Sequence, residues 1–347
     1  MKGHFKQVLV VIPFGLSQGV ISSQVIKLKN LFNSDCNVDF CYIKNGQFFS
    51  YDKNDSKGNI SHYFKENVVD LIYIRSHFDY MSIKRNGIKV PVYYDFRGAV
   101  FAESYLRNKS FIRSLILLIM EFYIFHTSDY RATVSISYAG WLRKWFRGSR
   151  KIYSVPCCID EATVFFNPEK LTGNKFVYVG GASKYQNIEM MVKLLESLSR
   201  KRQVELTIIS NHSDKIREII GSKSSFKVDY LSLQQSEVSD HLRKYDFGFI
   251  LRDDLLLNRV SSPIKVLEYT SAGVTPIITP YVGDYSKKLL DRKIAICVDG
   301  NLTWEMIDEF YNDDTLRSRL YEFSKLYTWD KYKGVMKNIY DDINSEK

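Results

Sequence analysis

Residues 247–279 read FGFILRDDLLLNRVSSPIKVLEYTSAGVTPIIT, a strand, a charged loop, a helix and a second strand in succession. The apolar run 247–251 stops at Arg252-Asp253-Asp254. Near-continuous apolar runs of this length mark strands buried on both faces, as in a parallel sheet covered by helices. Ser262 is a good N-cap and Pro263 suits a first helical position, so the spacing predicts a helix over 263–271. Gly273 can take the left-handed conformation that ends a helix, and Pro276 lies beyond it. The predicted helix start offers unpaired N–H groups and a positive dipole end, which together bind phosphate. Lys265 stands against that dipole, and a bound diphosphate would explain it. Glu268, one turn on, is placed to accept hydrogen bonds from paired sugar hydroxyls. The alternative for both is a solvated surface charge. Arg252 falls at the carboxyl edge of the sheet, where such folds bind ligands; its alternative is an ion pair with Asp253 or Asp254.

Working outward, the same alternation fills the second half. A strand at 176–179 leads into Gly180-Gly181, and Ile188, Met191, Leu195 and Leu198 mark one face of a helix. Strands at 204–210 and 226–230, a short helix around 238–245 and a strand at 294–298 follow. Trp304, Ile307, Phe310 and Tyr311 then recur at helical spacing. The first half opens with a strand at 8–12, a turn holding Gly15 and Gly19, and a helix carrying Ile21, Val25, Leu28 and Phe32. Strands at 38–43, 68–74, 90–94, 132–135 and 151–155 complete it. The class is α/β, with two Rossmann-like domains facing a central cleft. The domains are residues 1–165 and 166–330, joined through 160–173, with 331–347 a C-terminal helix. Periodicity leaves open whether that helix returns to the first domain.

Composition agrees and excludes much else. At 347 residues the chain suits two domains, and 45% hydrophobic with 25% charged residues describes a globular protein. The 22 Phe and 24 Tyr supply ample core, which excludes disorder. Net charge is +10, which suits an anionic partner: nucleic acid, an acidic membrane surface or phosphorylated small molecules. The cations are scattered rather than striped, which argues against nucleic acid. Five cysteines without a repeating spacing, and six dispersed histidines, favour a reducing cytosol and no structural metal. The N-terminal MKGHFKQVLVVIP reads as a first strand rather than a signal peptide. Residues 111–125 are very apolar, yet Arg113 and Glu121 interrupt them and they fall short of the roughly 20 residues that cross a bilayer. Two readings stay open there: a buried helix, or a helix resting on a membrane with Arg107, Lys109 and Arg113 facing lipid phosphates.

Ser262 to Tyr269, with the small-residue and glycine stretch and the apolar strand that follow, resembles the nucleotide-sugar-binding segment of family 4 glycosyltransferases of the GT-B fold. Ser-Pro-x-Lys-x-x-Glu-Tyr resembles a subset, many of whose members serve bacterial surface-polysaccharide pathways. Glu268 matches the second of that family's two glutamates, which holds the donor ribose; Val260 stands where the first would be. Residues 176–186 resemble the opening strand and loop of the second domain, but Gly181 and Gln186 replace the two cations usual there. Lys184 is one substitute and Arg252 the better one. Gly15 and Gly19 resemble the first domain's Gly-rich loop. YYDFRGAVFAES (residues 93–104) resembles an Asp-x-Arg-Gly segment of related polysaccharide transferases, with Asp95 and Arg97 positioning the acceptor hydroxyl or forming a local ion pair. Tyr73 and Arg75, Glu103, and residues 155–160 fit the same pattern.

The resemblance implies a retaining, metal-independent transfer of a sugar from a nucleotide-diphosphate donor to a hydroxyl acceptor. It implies Arg252, Lys265, Asp95 and Arg97 as catalytic residues. Gly19, Gly181, Lys184, Ser262 and Glu268 would bind donor, and Arg75 and Glu103 acceptor. No cofactor and no metal are expected; the nucleotide sugar is substrate. The expected acceptor is a lipid-linked glycan in capsule, O-antigen or exopolysaccharide synthesis. The expected setting is cytoplasmic, peripheral on the inner membrane face, with an anionic membrane surface and no nucleic acid as partner. Two other readings compete: a GT-B-type nucleotide-sugar epimerase, and a non-enzymatic basic protein binding nucleic acid or membrane.

Overall fold

The computed structural model describes residues 6–13, 27, 36–50, 55–166, 172–221 and 225–345. The chain divides into two compact units, Met1–Pro156 with Tyr332–Lys347, and Cys157–Lys331. This division falls ahead of the expected 165/166 boundary, and the terminal segment from Tyr332 groups with the first unit. The expected Gly15–Gly19 turn and the helix of Ile21, Val25, Leu28 and Phe32 lie outside the described residues.

In the first unit the strands are β1 (Gln7–Val11), β2 (Asn37–Lys44), β3 (Gln47–Ser50), β4 (Ser56–Asn59), β5 (Leu71–Ile74), β6 (Val92–Phe96), β7 (Tyr130–Thr133) and β8 (Tyr153–Ser154). They form one sheet in the order β4-β3-β2-β1-β5-β6-β7-β8. The run from β2 through β8 is parallel, while β3 and β4 add antiparallel hairpins at one edge. Asn45 and Gly46 make the first hairpin turn at φ 51° and 75°, the paired left-handed geometry of a two-residue loop. Parallel neighbours need helical crossovers. His77–Arg85 follows β5, Val100–Asn108 and Phe111–Thr127 follow β6, and Ile136–Phe146 follows β7. Serine hydroxyls at 76, 110 and 135 accept the N–H groups of Asp79, Arg113 and Tyr138 and cap three of these helices.

The second unit holds β9 (Lys175–Val179), β10 (Glu205–Ile209), β11 (Lys227–Leu231), β12 (Phe247–Ile250), β13 (Thr275–Ile278) and β14 (Ile296–Cys297). The sheet is parallel in the order β11-β10-β9-β12-β13-β14. This is the doubly wound arrangement, whose order reverses between the first and fourth strands, here β9 and β12. Phe176 stacks on Phe247 and Phe249 at 5.6 and 5.8 Å between ring centres. Around them the buried face of helix Ile188–Ser199 supplies Met191, Leu195 and Leu198.

Beyond Gly248↔Val177 the pairing of β9 with β12 ends, so the two strands part toward their carboxyl ends. Tyr269 bridges the gap. Its hydroxyl accepts the Val179 N–H at 3.0 Å and lies 3.4 Å from the Phe249 carbonyl. The ring passes so close to Gly248 that a Cβ there would sit 2.5 Å from it. The helix bearing Tyr269 is thereby pinned at the reversal point.

That helix runs Lys265–Ser271, with Ile264 at the N-cap position and no side-chain cap. The expected Ser262 cap is corrected: its hydroxyl instead accepts the Cys157 N–H at 3.3 Å and lies 3.5 Å from the Tyr285 hydroxyl, tying down the loop before the helix. The helix ends as expected, with Gly273 left-handed at φ 77°. Among the described residues no helix is long and apolar enough to cross a membrane.

Candidate functional site

Two cations meet at the carboxyl edge of the second sheet. Arg252 lies two residues past the end of β12 and is 6% exposed. Its Nη1 donates to the Gln186 side-chain oxygen at 2.6 Å and to the Tyr185 carbonyl at 3.1 Å. Lys265, at the start of its helix, donates from Nζ to the same Gln186 oxygen at 2.9 Å. Its ammonium stands 4.7 Å from the centre of the Tyr178 ring. Thus two enclosed positive charges converge on one neutral amide oxygen. Among the described residues neither is in salt-bridge contact with a carboxylate. Burial lowers the Lys265 pKa well below that of an ordinary lysine, and the Arg252 charge adds to the effect. Burial lowers Arg252 as well. Buried charges are normally paired, because their loss of hydration is otherwise uncompensated. Among the described residues no carboxylate makes a salt bridge with either cation, although the Glu268 charge acts on Lys265, and a diphosphate has the charge and oxygen count to supply a direct partner.

The neighbouring backbone makes room for such a group. Gly180 follows β9 at φ 144°, and a Cβ there would lie 2.1 Å from Lys265 Nζ. Glycine is what lets the chain and the ammonium share this space. Gly181 turns next, its carbonyl accepting the Tyr178 hydroxyl at 2.7 Å. Lys184 begins a short 3-10 turn, Lys184–Gln186, and its side chain is exposed. The turn brings Gln186, not Lys184, to the two cations.

Glu268 lies one turn beyond Lys265 and is 6% exposed. Its Oε1 accepts the Gln235 side-chain amide at 2.9 Å. Burial raises the carboxyl pKa, while the Gln235 hydrogen bond and the Lys265 charge oppose the rise. The acids after Arg252 are engaged elsewhere: Asp253 accepts from Asn187 at 2.7 Å, and Asp254 pairs with Arg259. The alternative of an Arg252–Asp253 or Arg252–Asp254 pair is therefore not what forms.

In the first unit the predicted residues gather at the carboxyl ends of β5 and β6. The Asp95 carboxylate, 3% exposed, takes the Tyr73 hydroxyl on Oδ2. Arg75 Nε lies 3.2 Å and Arg97 Nη1 3.6 Å from the same oxygen. Arg75 also donates to the Tyr73 hydroxyl at 2.8 Å, and Arg97 to the Val155 carbonyl at 2.9 Å. Burial above all raises the Tyr73 pKa, so this phenol stays protonated and donates. Among the described residues the other carboxylate oxygen, Oδ1, is buried without a hydrogen-bond partner, an acceptor able to take one more hydroxyl. Glu103 does not join the cluster; it is exposed on helix Val100–Asn108. Gly19 lies outside the described residues. Ser262 is held by the loop contacts above.

Sequence reasoning missed two members of the second-unit site, Gln186 as the shared acceptor and Gln235 as the partner of Glu268. Both are neutral amides brought in from distant segments; Gln186 was marked only as the replacement of a cation, and nothing local marks Gln235. It also missed Tyr269 as the bridge at the strand divergence.

No family model matches the chain, and no curated protein matches its sequence. Solved structures do match its fold. A sucrose-phosphate synthase from Thermosynechococcus elongatus shares 12% identity at a TM-score of 0.74, covering 99% of this chain and all of that one. A glycosyltransferase from Rickettsia africae shares 12% at 0.66, covering 98% of each. An alpha-glucosyltransferase in complex with UDP and a 13-mer DNA shares 14% at 0.63, over 98% of this chain and all of that one. The chain therefore has the α/β fold of GT-B glycosyltransferases, two Rossmann-like domains built on parallel sheets.

Proposed function

We propose that this protein is a GT-B glycosyltransferase, family 4-like, that moves a sugar from a nucleotide-diphosphate donor to a hydroxyl acceptor. The observation that carries this is the meeting of Arg252 and Lys265 on one neutral oxygen, without a carboxylate, at the strand-order reversal of a doubly wound sheet. That position binds ligands in open α/β sheets.

The roles follow from the chemistry. Glu268 accepts hydrogen bonds from the donor ribose. Lys265 and Arg252 hold the diphosphate, whose negative charge grows as the bond from the anomeric carbon to phosphate oxygen breaks. Stabilising that growing charge is the largest electrostatic contribution to such a reaction. With two cations in place the step proceeds without a divalent metal. Gly181 brings backbone close to the diphosphate; Lys184 and Ser262 flank it. In the first domain Asp95 and Arg97 position the acceptor hydroxyl, with Arg75 and Glu103 contributing to the acceptor subsite. The hydroxyl oxygen attacks the anomeric carbon from the face the nucleotide leaves. Its proton passes to the departing phosphate oxygen, the nucleoside diphosphate is released, and configuration is retained.

The acceptor is a lipid-linked glycan of a surface polysaccharide, met at the cytoplasmic face of an anionic membrane. A panel of UDP-, GDP- and dTDP-sugars tests the reading by thermal shift and by release of nucleoside diphosphate on adding polyprenyl-diphosphate glycans. One donor should stabilise the protein and turn over with retention. Donor binding accompanied by sugar isomerisation without transfer would favour an epimerase instead.

A further inference from the structure

Helix Phe111–Thr127 carries apolar side chains on both its buried and its exposed face. Its inner face carries Ser114, Leu117, Glu121, Ile124 and Phe125, all buried. The Ser114 hydroxyl donates to the Phe101 carbonyl at 2.6 Å, and Glu121 accepts the Tyr138 hydroxyl on Oε1, while its buried Oε2 lies 3.7 Å from His77 Nε2 and has no hydrogen-bond partner among the described residues. The outer face presents Phe111, Ile112, Leu115, Ile116, Ile119 and Phe122 to solvent, with Ile112 74% and Ile119 59% exposed. An ordinary surface helix also puts an apolar stripe on the core, but presents polar residues on the opposite face. The reading of residues 111–125 as a buried helix is thus corrected, because only one face is buried and six large apolar side chains on the other are open to solvent. A contiguous apolar patch of this kind marks an interaction surface.

The charge around the patch says what it meets. Residues 100–151 carry nine cations and three acids, Glu103, Glu121 and Asp129, so +6 of the chain's +10 sits in this segment. Of those acids Glu121 is fully buried, and Asp129 accepts the Val92 N–H at 2.9 Å. Exposed Arg107, Lys109 and Arg113 flank the start of the helix. Exposed Arg143, Lys144 and Arg147 lie at the end of the adjoining helix Ile136–Phe146, where Phe146 packs on Phe122 at 5.4 Å between ring centres. Trp145, 62% exposed, stands among these cations. An apolar strip rimmed by cations at both ends, with an indole at the border, is the pattern of a helix lying in a membrane interface.

We propose that this face docks on an anionic lipid bilayer, the hydrocarbon side chains entering the acyl boundary and the two basic flanks facing lipid phosphates. A second copy of the chain fits less well, since a two-fold contact on this face would set like cations against one another. A nucleic acid fits the flanks, but the strip between them offers it nothing to bond. The proposal names the surface by which the membrane-associated acceptor proposed above would be reached, and rests on that reading only for its purpose.

The test uses the full chain and vesicles of phosphatidylcholine, with or without phosphatidylglycerol. The wild type should float with the mixed vesicles and not with phosphatidylcholine alone, and about 0.5 M salt should weaken flotation at least tenfold. Ile116→Asp with Ile119→Asp, and separately Arg143→Glu with Lys144→Glu, should each reduce partitioning at least tenfold. UDP or GDP titration of the same variants reports whether the rest of the protein is intact. A folded wild type that ignores anionic vesicles, or variants that float as well as wild type, would overturn the proposal. So would a DNA duplex displacing the protein from vesicles, or self-association that the isoleucine substitutions abolish. A wild type that floats yet binds no nucleotide would leave this surface standing and defeat the donor site instead.

Discussion

Replacing Glu268 separates a nucleotide-holding carboxylate from a merely buried one. The side chain is 6% exposed, and one oxygen is already held by Gln235 at 2.9 Å. If the carboxylate also accepts from donor ribose hydroxyls, those bonds are charge-assisted and worth about 1.5–3 kcal/mol. At about 1.4 kcal/mol per decade, Glu268→Ala should weaken UDP or GDP binding by roughly ten- to a hundredfold. Glu268→Gln keeps the shape but leaves a neutral acceptor, worth about 0.5–1.5 kcal/mol, so its loss should be nearer five- to tenfold. Calorimetric titration with UDP and with 2′- and 3′-deoxy-UDP makes the test specific. Wild type should bind a deoxy analogue more weakly, and Glu268→Ala should lose that discrimination, closing a double-mutant cycle between residue and hydroxyl. pH adds a second axis. Burial raises the carboxyl pKa, so wild-type affinity should begin to fall on acidification at a pH above the usual glutamate value of about 4.3. Glu268→Gln should not share that fall. Unchanged nucleotide affinity in folded Glu268→Ala, or undiminished discrimination against the deoxy analogues, would refute the reasoning.

Three further outcomes are expected. Gly180→Ala puts a Cβ 2.1 Å from Lys265 Nζ at a backbone φ of 144° that L side chains rarely adopt, so the ammonium must move and the backbone is strained; turnover of the folded variant should fall at least tenfold and melting temperature should fall as well, and unchanged turnover would show that Lys265 does not act from this position. Among the described residues Asp79 is buried without an ion pair, and burial raises its pKa to about 6. The folded state therefore holds its proton more tightly than the unfolded chain, whose value is about 3.9, and wild-type stability falls as pH rises between those values. Asp79→Asn should remove that slope and gain on the order of 3 kcal/mol at pH 7 from two pKa units at about 1.36 kcal/mol each, with no gain at pH 3; urea melts at the two pH values decide it. Sugar transfer should persist in excess EDTA, and activity that EDTA abolishes and Mg²⁺ or Mn²⁺ restores would contradict the two-cation account.

Much of the second unit was legible because its strands are short apolar runs bounded by glycine, proline or charge. The Phe247 run stops at Arg252, and Gly273 ends the helix that follows. Its start was less legible. Ser262 looks like a cap, but its hydroxyl is claimed by the Cys157 N–H, a partner distant in sequence. The antiparallel edge of the first sheet was missed although Asn45-Gly46 between Lys44 and Gln47 is a hairpin signal; β2 was expected, but β3 and β4 beyond the turn are four residues each, too short to announce themselves. Residues 111–125 show the limit of periodicity. The helix is evident, but which face turns inward depends on Tyr138 and Phe101, which lie outside it. At the candidate site the charged residues were visible in the chain and Gln186 stood out only as the replacement of a cation, whereas Gln235, the partner of Glu268, was not visible.

The central claim is that Arg252 and Lys265 form a cation pair awaiting a diphosphate. Calorimetric titration of the folded chain with UDP, GDP, UMP and uridine, repeated on Arg252→Met with Lys265→Met, tests it most directly. The account predicts that one nucleoside diphosphate binds, that its monophosphate binds more weakly and its nucleoside not detectably, and that the double variant loses about a hundredfold or more while remaining folded. Failure of every nucleoside diphosphate to bind the folded wild type, or equal affinity in the double variant, would contradict it.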